Sequence, residues 1–214
     1  MIAAIAAAGA TNVHLKIDTG MRRVGARPED AVGLCEAIAA SGLCLEGVFT
    51  HLAMADEPDD PATEEQLDRF DAVLAEIRAA GHEPLLVHAA NSAGALAHPR
   101  ARFDLVRLGI AMYGIEPGPG VGAFCGELQP ALRLVARASH VKRVQPGDRV
   151  SYGLRHRFTE ETTVATFPLG YADGVPRRLS SVGGEVLVRG ERRPIVGVVT
   201  MDQLMVDCGD LPVE

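Results

Sequence analysis

Four short apolar runs, residues 13–17, 45–50, 84–88 and 103–108, each end against a polar residue and alternate with longer amphipathic stretches. This alternation constrains the fold more than any other feature. Runs of five or six residues are too short for helices and apolar enough for strands buried on both faces of a parallel sheet. The stretches between them predict helices over residues 28–40 and 63–80 and a short one after Asn91. Thr63 is expected as the N-cap of the second, with acidic residues in its first turn. Repeated βα units of this kind predict a parallel α/β region through residue 117. The Gly/Pro-rich segment EPGPGVGAFCGELQP then reads as a linker, beyond which the helical period disappears. Strands are expected over 132–144, 162–167, 184–188, 194–199 and 203–207, with turns at PGD, GYADG and RGERR. The chain thus divides into residues 1–117 and a mostly β region, 118–214.

With 214 residues, 47% of them hydrophobic, the chain can bury a real core. Its formal net charge of −7 supplies no basic field to gather nucleic acid or an anionic membrane, so a small-molecule partner is expected. The cysteines, Cys35, Cys44, Cys125 and Cys208, are scattered without a CxxC pair, which points to reduced thiols in a cytoplasm and not to zinc or a disulfide framework. The opening MIAAIAAAGA is too brief to span a bilayer and reads as the tail of a helix.

The polar residues at the run ends are Lys16 with Asp18, His51, His88 and Arg107. Strand ends of a parallel sheet lie on one side, where barrel active sites are built, so four polar ends at corresponding places predict one shared pocket. Any one of them alone is more often the mark of a structural residue. HAANSAG after the third run and RLGIAMYG at the fourth combine small residues with Asn91 and Ser92, suited to cap a helix, to receive an anion, or both. DTGMRRVG forms a tight loop that brings Arg23 to the pocket mouth and leaves Arg22 solvated. VSYG and GYADG set Tyr152 and Tyr171 in Gly-flanked turns, where each either projects from the sheet or packs on it. A barrel metal site on His51, His88 and Asp56 competes with these readings, without the HxH or HExxH spacing that would favour it.

Seven segments, HLKIDTGMRRVG, THLAMADE, HAANSAGAL, VRLGIAMYGIEP, VSYG, FPLGYADG and VTMDQLMVD, resemble the alanine racemases in order and spacing over almost the whole chain. The resemblance implies the second half of a (β/α)8 barrel followed by a β domain, a head-to-tail homodimer sharing its active sites, pyridoxal 5'-phosphate as cofactor, and interconversion of L- and D-alanine to supply the cell wall. Racemisation needs an electron sink for charge left at Cα and an acid/base on each face of that carbon. By resemblance Tyr152, lent by the neighbouring subunit, takes the proton from L-alanine. A phenol ordinarily keeps its proton to about pH 10, so positive charge is needed nearby, and His51 and Arg107 resemble the chain that supplies it. Arg107 also resembles the partner of the pyridine nitrogen, with His88 orienting it. Ser92 and the backbone of Gly109 and Ile110 resemble part of a phosphate cup. Arg23 resembles the residue facing the cofactor phenolate or substrate carboxylate, and Lys16 a lysine often carbamylated to hold that arginine. Tyr171, Met201 and Asp202 resemble partner-subunit contributions to the entrance and the carboxylate site.

The family's cofactor-binding lysine lies in a KANAYGHG-like motif that nothing here resembles, and Lys16 and Lys142 are the only lysines. The phosphate-binding tyrosine that the family carries near its C-terminus has no counterpart after MDQLMVD either. The chain is expected to begin near the fifth barrel strand, to fold poorly or associate by itself, and to be inactive alone. Activity toward serine or another small amino acid, and a non-catalytic fragment that binds a racemase subunit, are the alternatives.

Overall fold

The computed structural model describes residues 1–213 as two compact units, Met1–Arg133 and a second that begins at Leu134. The first contains α1 (Ile2–Ala7), β1 (Asn12–Lys16), α2 (Ala31–Ala40), β2 (Cys44–Phe49), α3 (Ala62–Ala79), β3 (Leu86–His88) and α4 (Ser92–Ala97). Its three strands are parallel in the order β1-β2-β3, so each crossover carries a helix as the βα alternation requires. Lys16 pairs with Phe49 and Phe49 with His88, which puts the three in one row at the strand ends. Side chains alternate along a strand, so Val48 and Val87 point the opposite way, into a core with Ile17, Leu67, Phe70 and Ile77.

Three sequence expectations in this unit are corrected. Residues 103–108 are not a strand: Phe103 takes a left-handed φ of 41°, and the Asp104 carboxylate accepts the Val87 N–H at 2.8 Å, occupying a donor that a ladder would need. The run is tethered beside β3 by two backbone bonds, from the Asp104 N–H to Val87 and from the Arg107 N–H to Ala90. Thr63 is buried inside the first turn of α3, whose N-cap is Pro61; Asp60 accepts the Ala62 N–H at 2.8 Å and does the capping work Thr63 was expected to do. The Gly/Pro-rich segment is partly regular, with a 3-10 helix at Pro119–Phe124, and Val121 and Cys125 are buried in the core of the first unit.

The second unit contains β4 (His140–Val144), β5 (Arg149–Val150), β6 (His156–Arg157), β7 (Thr162–Phe167), β8 (Glu185–Val188), β9 (Glu191–Val196) and β10 (Leu204–Gly209). Five of them form an antiparallel sheet in the order β4-β7-β10-β9-β8, and β5 pairs with β6. β10 buries Leu204, Val206 and Cys208 in alternation, as a half-covered strand should. The expected strand over 132–144 is shorter than its apolar run because β7 pairs only with residues 140–144, leaving Leu132, Leu134 and Val135 exposed. All four cysteines are free, and among the described residues no helix is long and apolar enough to cross a membrane.

Phe70 is fully buried on α3 with its ring edge-on to Phe103 at 5.6 Å. Phe70→Ala is expected to destabilise the first unit by about 3–5 kcal/mol in denaturant titration, the cost of an aromatic cavity that neighbours cannot refill. A loss under about 1 kcal/mol would mean that this core collapses around the gap.

Candidate active site

In the first unit the other three predicted strand-end residues, Lys16, His51 and His88, gather around Phe49 and Arg107. Its guanidinium is half-buried and has only donors to offer. Nη1 donates to His88 Nδ1 at 2.5 Å, while Nη2 serves the Thr50 carbonyl at 2.7 Å, the Ala89 carbonyl at 3.0 Å and His51 Nδ1 at 3.3 Å. Because arginine cannot accept, both Nδ1 atoms must be unprotonated, and each neutral ring carries its hydrogen on Nε2. Nε–H and the second Nη1–H of Arg107 have no partner among the described residues.

Phe49 forms the floor of this cluster. His88 stacks on its ring at 4.7 Å with planes 11° apart, the Arg107 guanidinium lies 5.3 Å from its centroid, and Lys16 Nζ lies 6.0 Å away. Burial and neighbouring cations lower the pKa of each base in the cluster. His88 is held down to about 4 by burial first, then by Arg107 and His14. His51 is lowered by burial, then by Arg107, Arg23 and Lys16. Lys16 is lowered by burial and Arg23, against an opposing pull from Asp18.

The loop after β1 is organised by Asp18, whose carboxylate accepts the N–H groups of Gly20 and Arg22 at 3.0 and 2.9 Å. Buried Gln66 of α3 locks that loop to the strand end: it donates to Thr19 Oγ1 and to the His51 carbonyl, and accepts the Ala53 N–H. Thr19 and Thr50 hydroxyls share a bond of 2.7 Å. On α4, Asn91 caps the helix by accepting the Gly94 N–H, and Ser92 Oγ accepts from Gly109 at 2.9 Å and Ala111 at 3.3 Å. With both lone pairs used, the Ser92 hydroxyl has only its proton left to give, which suits an anion. The rival metal reading loses its ligands: His51 and His88 face a guanidinium, and among the described residues no three His, Cys, Asp or Glu side chains gather to hold a metal ion.

In the second unit Tyr152, Tyr171, Met201 and Asp202 line one cleft of about 1350 Å³. Tyr152 is exposed on a turn in which Ser151 and Leu154 both take left-handed φ, and the Ser151 hydroxyl clamps that turn by accepting the Val198 N–H at 3.0 Å. Tyr171 starts a second turn docked on the other side, its N–H donating to the Thr200 carbonyl and that of Ala172 to Met201. The approach requires glycine at 170, where a Cβ would strike the Met201 carbonyl group. Both tyrosines therefore project from the sheet, the first of the two readings the sequence left open.

The model for the alanine racemase N-terminal domain covers residues 1–117, and that for the C-terminal domain covers 131–214. The chain belongs to the alanine racemase family. It is 51% identical to an alanine racemase of Symbiobacterium thermophilum, with 94% of this chain and 53% of that protein aligned, and 50% identical to one of Thermobifida fusca. An alanine racemase from Streptomyces coelicolor superposes with a TM-score of 0.87 at 42% identity, over 99% of this chain and 57% of that one. The crystal structure of the Bacillus anthracis alanine racemase with bound L-Ala-P does so with a TM-score of 0.82 at 41% identity, over 95% of this chain and 53% of that one. The fold is accordingly part of a racemase barrel together with the family's sheet-rich C-terminal domain, and the chain spans about half the length of the relatives it matches.

Sequence reasoning missed four participants. His14 sits two residues before Lys16 on β1, hence on the same face, and bonds His88 Nε2 at 3.0 Å. Glu46 bonds His14, Phe49 supports the cluster, and Arg177 lines the tyrosine cleft. The strand period could have found His14; only the register could have found Phe49.

The depressed His88 fixes a pH dependence. The unfolded chain takes up a proton at this ring near pH 6.5, whereas the folded chain refuses it until about pH 4. The stability it contributes is therefore complete above pH 6.5 and declines as pH falls toward 4. His88→Gln is expected to flatten the fall in denaturation midpoint across this window; an undiminished slope would contradict a neutral buried His88.

Proposed function

We propose that these residues serve a racemase that interconverts L- and D-alanine with pyridoxal 5'-phosphate, in the cytoplasm, providing D-alanine for the cell wall. The observation that carries the reading is the donor-only fork of Arg107, anchored on two neutral histidines and two backbone carbonyls, with two N–H groups still to give. The cofactor supplies an electron sink for the charge left when a proton leaves Cα. Arg107 would hold the pyridine nitrogen by a hydrogen bond without surrendering its proton, which would keep the sink weak and limit side reactions. His88 holds Arg107 in direction. The Ser92 hydroxyl, held in place by the Gly109 N–H, would bind the phosphate together with the backbone N–H of Ile110.

Tyr152, contributed by the neighbouring subunit of a head-to-tail homodimer, removes or returns the proton on one face of Cα. Neutral His51, held by the Arg107 guanidinium, has its Nε2–H to offer to the Tyr152 oxygen. Arg23 faces the substrate carboxylate or the cofactor phenolate, and Tyr171, Met201 and Asp202 shape the entrance and the carboxylate site. Lys16 serves Arg23 best as a carbamate. Its lowered pKa favours the free amine that adds CO2 with loss of a proton, and the product is an anion opposite Arg23.

The test joins this chain to the portion of the Symbiobacterium thermophilum relative that it does not match. With added pyridoxal 5'-phosphate, the joined protein is expected to racemise alanine in both directions. Tyr152→Phe should lower kcat from L-alanine by about 10²–10⁴, the usual worth of a general base. Full activity in that variant would remove Tyr152 from the reaction. Intact mass under native conditions in bicarbonate should show one added CO2 that Lys16→Gln lacks; no added mass would refute carbamylation.

A further inference from the structure

The hydrogen-bonded chain does not stop at His88. His88 Nε2 meets His14 Nδ1 at 3.0 Å, and His14 Nε2 meets Glu46 Oε2 at 3.2 Å, with Asn12 steadying the other Glu46 oxygen at 2.9 Å. One end of the chain can only donate and the other, an ionised carboxylate, can only accept. Every proton between them is thereby assigned: Arg107 to His88 Nδ1, His88 Nε2–H to His14 Nδ1, His14 Nε2–H to Glu46. Reversing either histidine would set two donors or two acceptors face to face.

The reach from β1 to β3 is possible because the strand between them carries glycine. His14 pairs with Gly47, which pairs with Leu86, and a Cβ at Gly47 would collide with the His14 imidazole. The ring thus crosses β2 over a bare backbone to touch a side chain two strands away. His88 is buried, so without His14 its Nε2–H would lack an acceptor, and an unpaired buried donor gives the ring reason to turn or change tautomer.

We propose that His14, anchored by Glu46, is a positioning residue for Arg107: it holds His88 in the one ring orientation and tautomer that accept from the guanidinium. The inference deepens the functional reading and depends on it only for the consequence at the cofactor ring.

The experiment is nitrogen-15 spectroscopy of histidine-labelled chain without cofactor, so it stands whether or not racemisation is found. The parent chain should show His14 and His88 each as a single Nε2–H tautomer. His14→Phe keeps a ring over Gly47 but removes the acceptor, and His88 should lose its single-tautomer signature. His14→Gln offers an amide oxygen in its place and should restore it. A role in packing alone predicts the reverse order, Phe tolerated and Gln disruptive, and that result would overturn the proposal. Glu46→Leu, at a partly exposed position that does not carry the core, should release the tautomer of His14; an unchanged His14 signal there would also overturn it.

Discussion

An arginine has five N–H groups and no acceptor, and the arrangement of the first unit's site follows from that asymmetry. Whatever surrounds Arg107 must accept. The carbonyls of Thr50 and Ala89 do so by nature, and two histidines do so by being neutral with their protons turned away. Burial beside a cation supplies that neutrality. A site built this way controls where protons are without any negative charge close to the guanidinium.

The parallel sheet makes the cluster possible. Its register sets Lys16, Phe49 and His88 in one row, and the aromatic ring in the middle separates two basic groups while giving both a face to rest on. Two residues back along β2, on the same face, glycine stands where the aromatic ring would be and leaves room for an imidazole to cross. Large and absent side chains on neighbouring positions of β2 thus have separate tasks.

Much of this was legible in the sequence. Three of four apolar runs became strands because their hydrophobic residues face a common core, and Lys16, His51 and His88 converge because strand ends of a parallel sheet share a side, while Arg107 reaches them from a run tethered to β3 by backbone bonds. The fourth run failed as a strand through a local choice, a left-handed Phe103 and an aspartate that takes the ladder's donor, which apolar periodicity does not register. Thr63 looked like a cap by type, but Asp60 reached the free amide first. Glu46 and Phe49 carried no motif; their importance arises only from which residues lie opposite them.

The most direct test of this account is neutron diffraction from crystals of the chain, which locates hydrogens around Arg107. The account predicts a fully protonated guanidinium, no hydrogen on Nδ1 of His51 or His88, and a hydrogen on Nε2 of each. A hydrogen on either Nδ1 would contradict it, because that ring could not then accept from Arg107 and the fork would be held by other means.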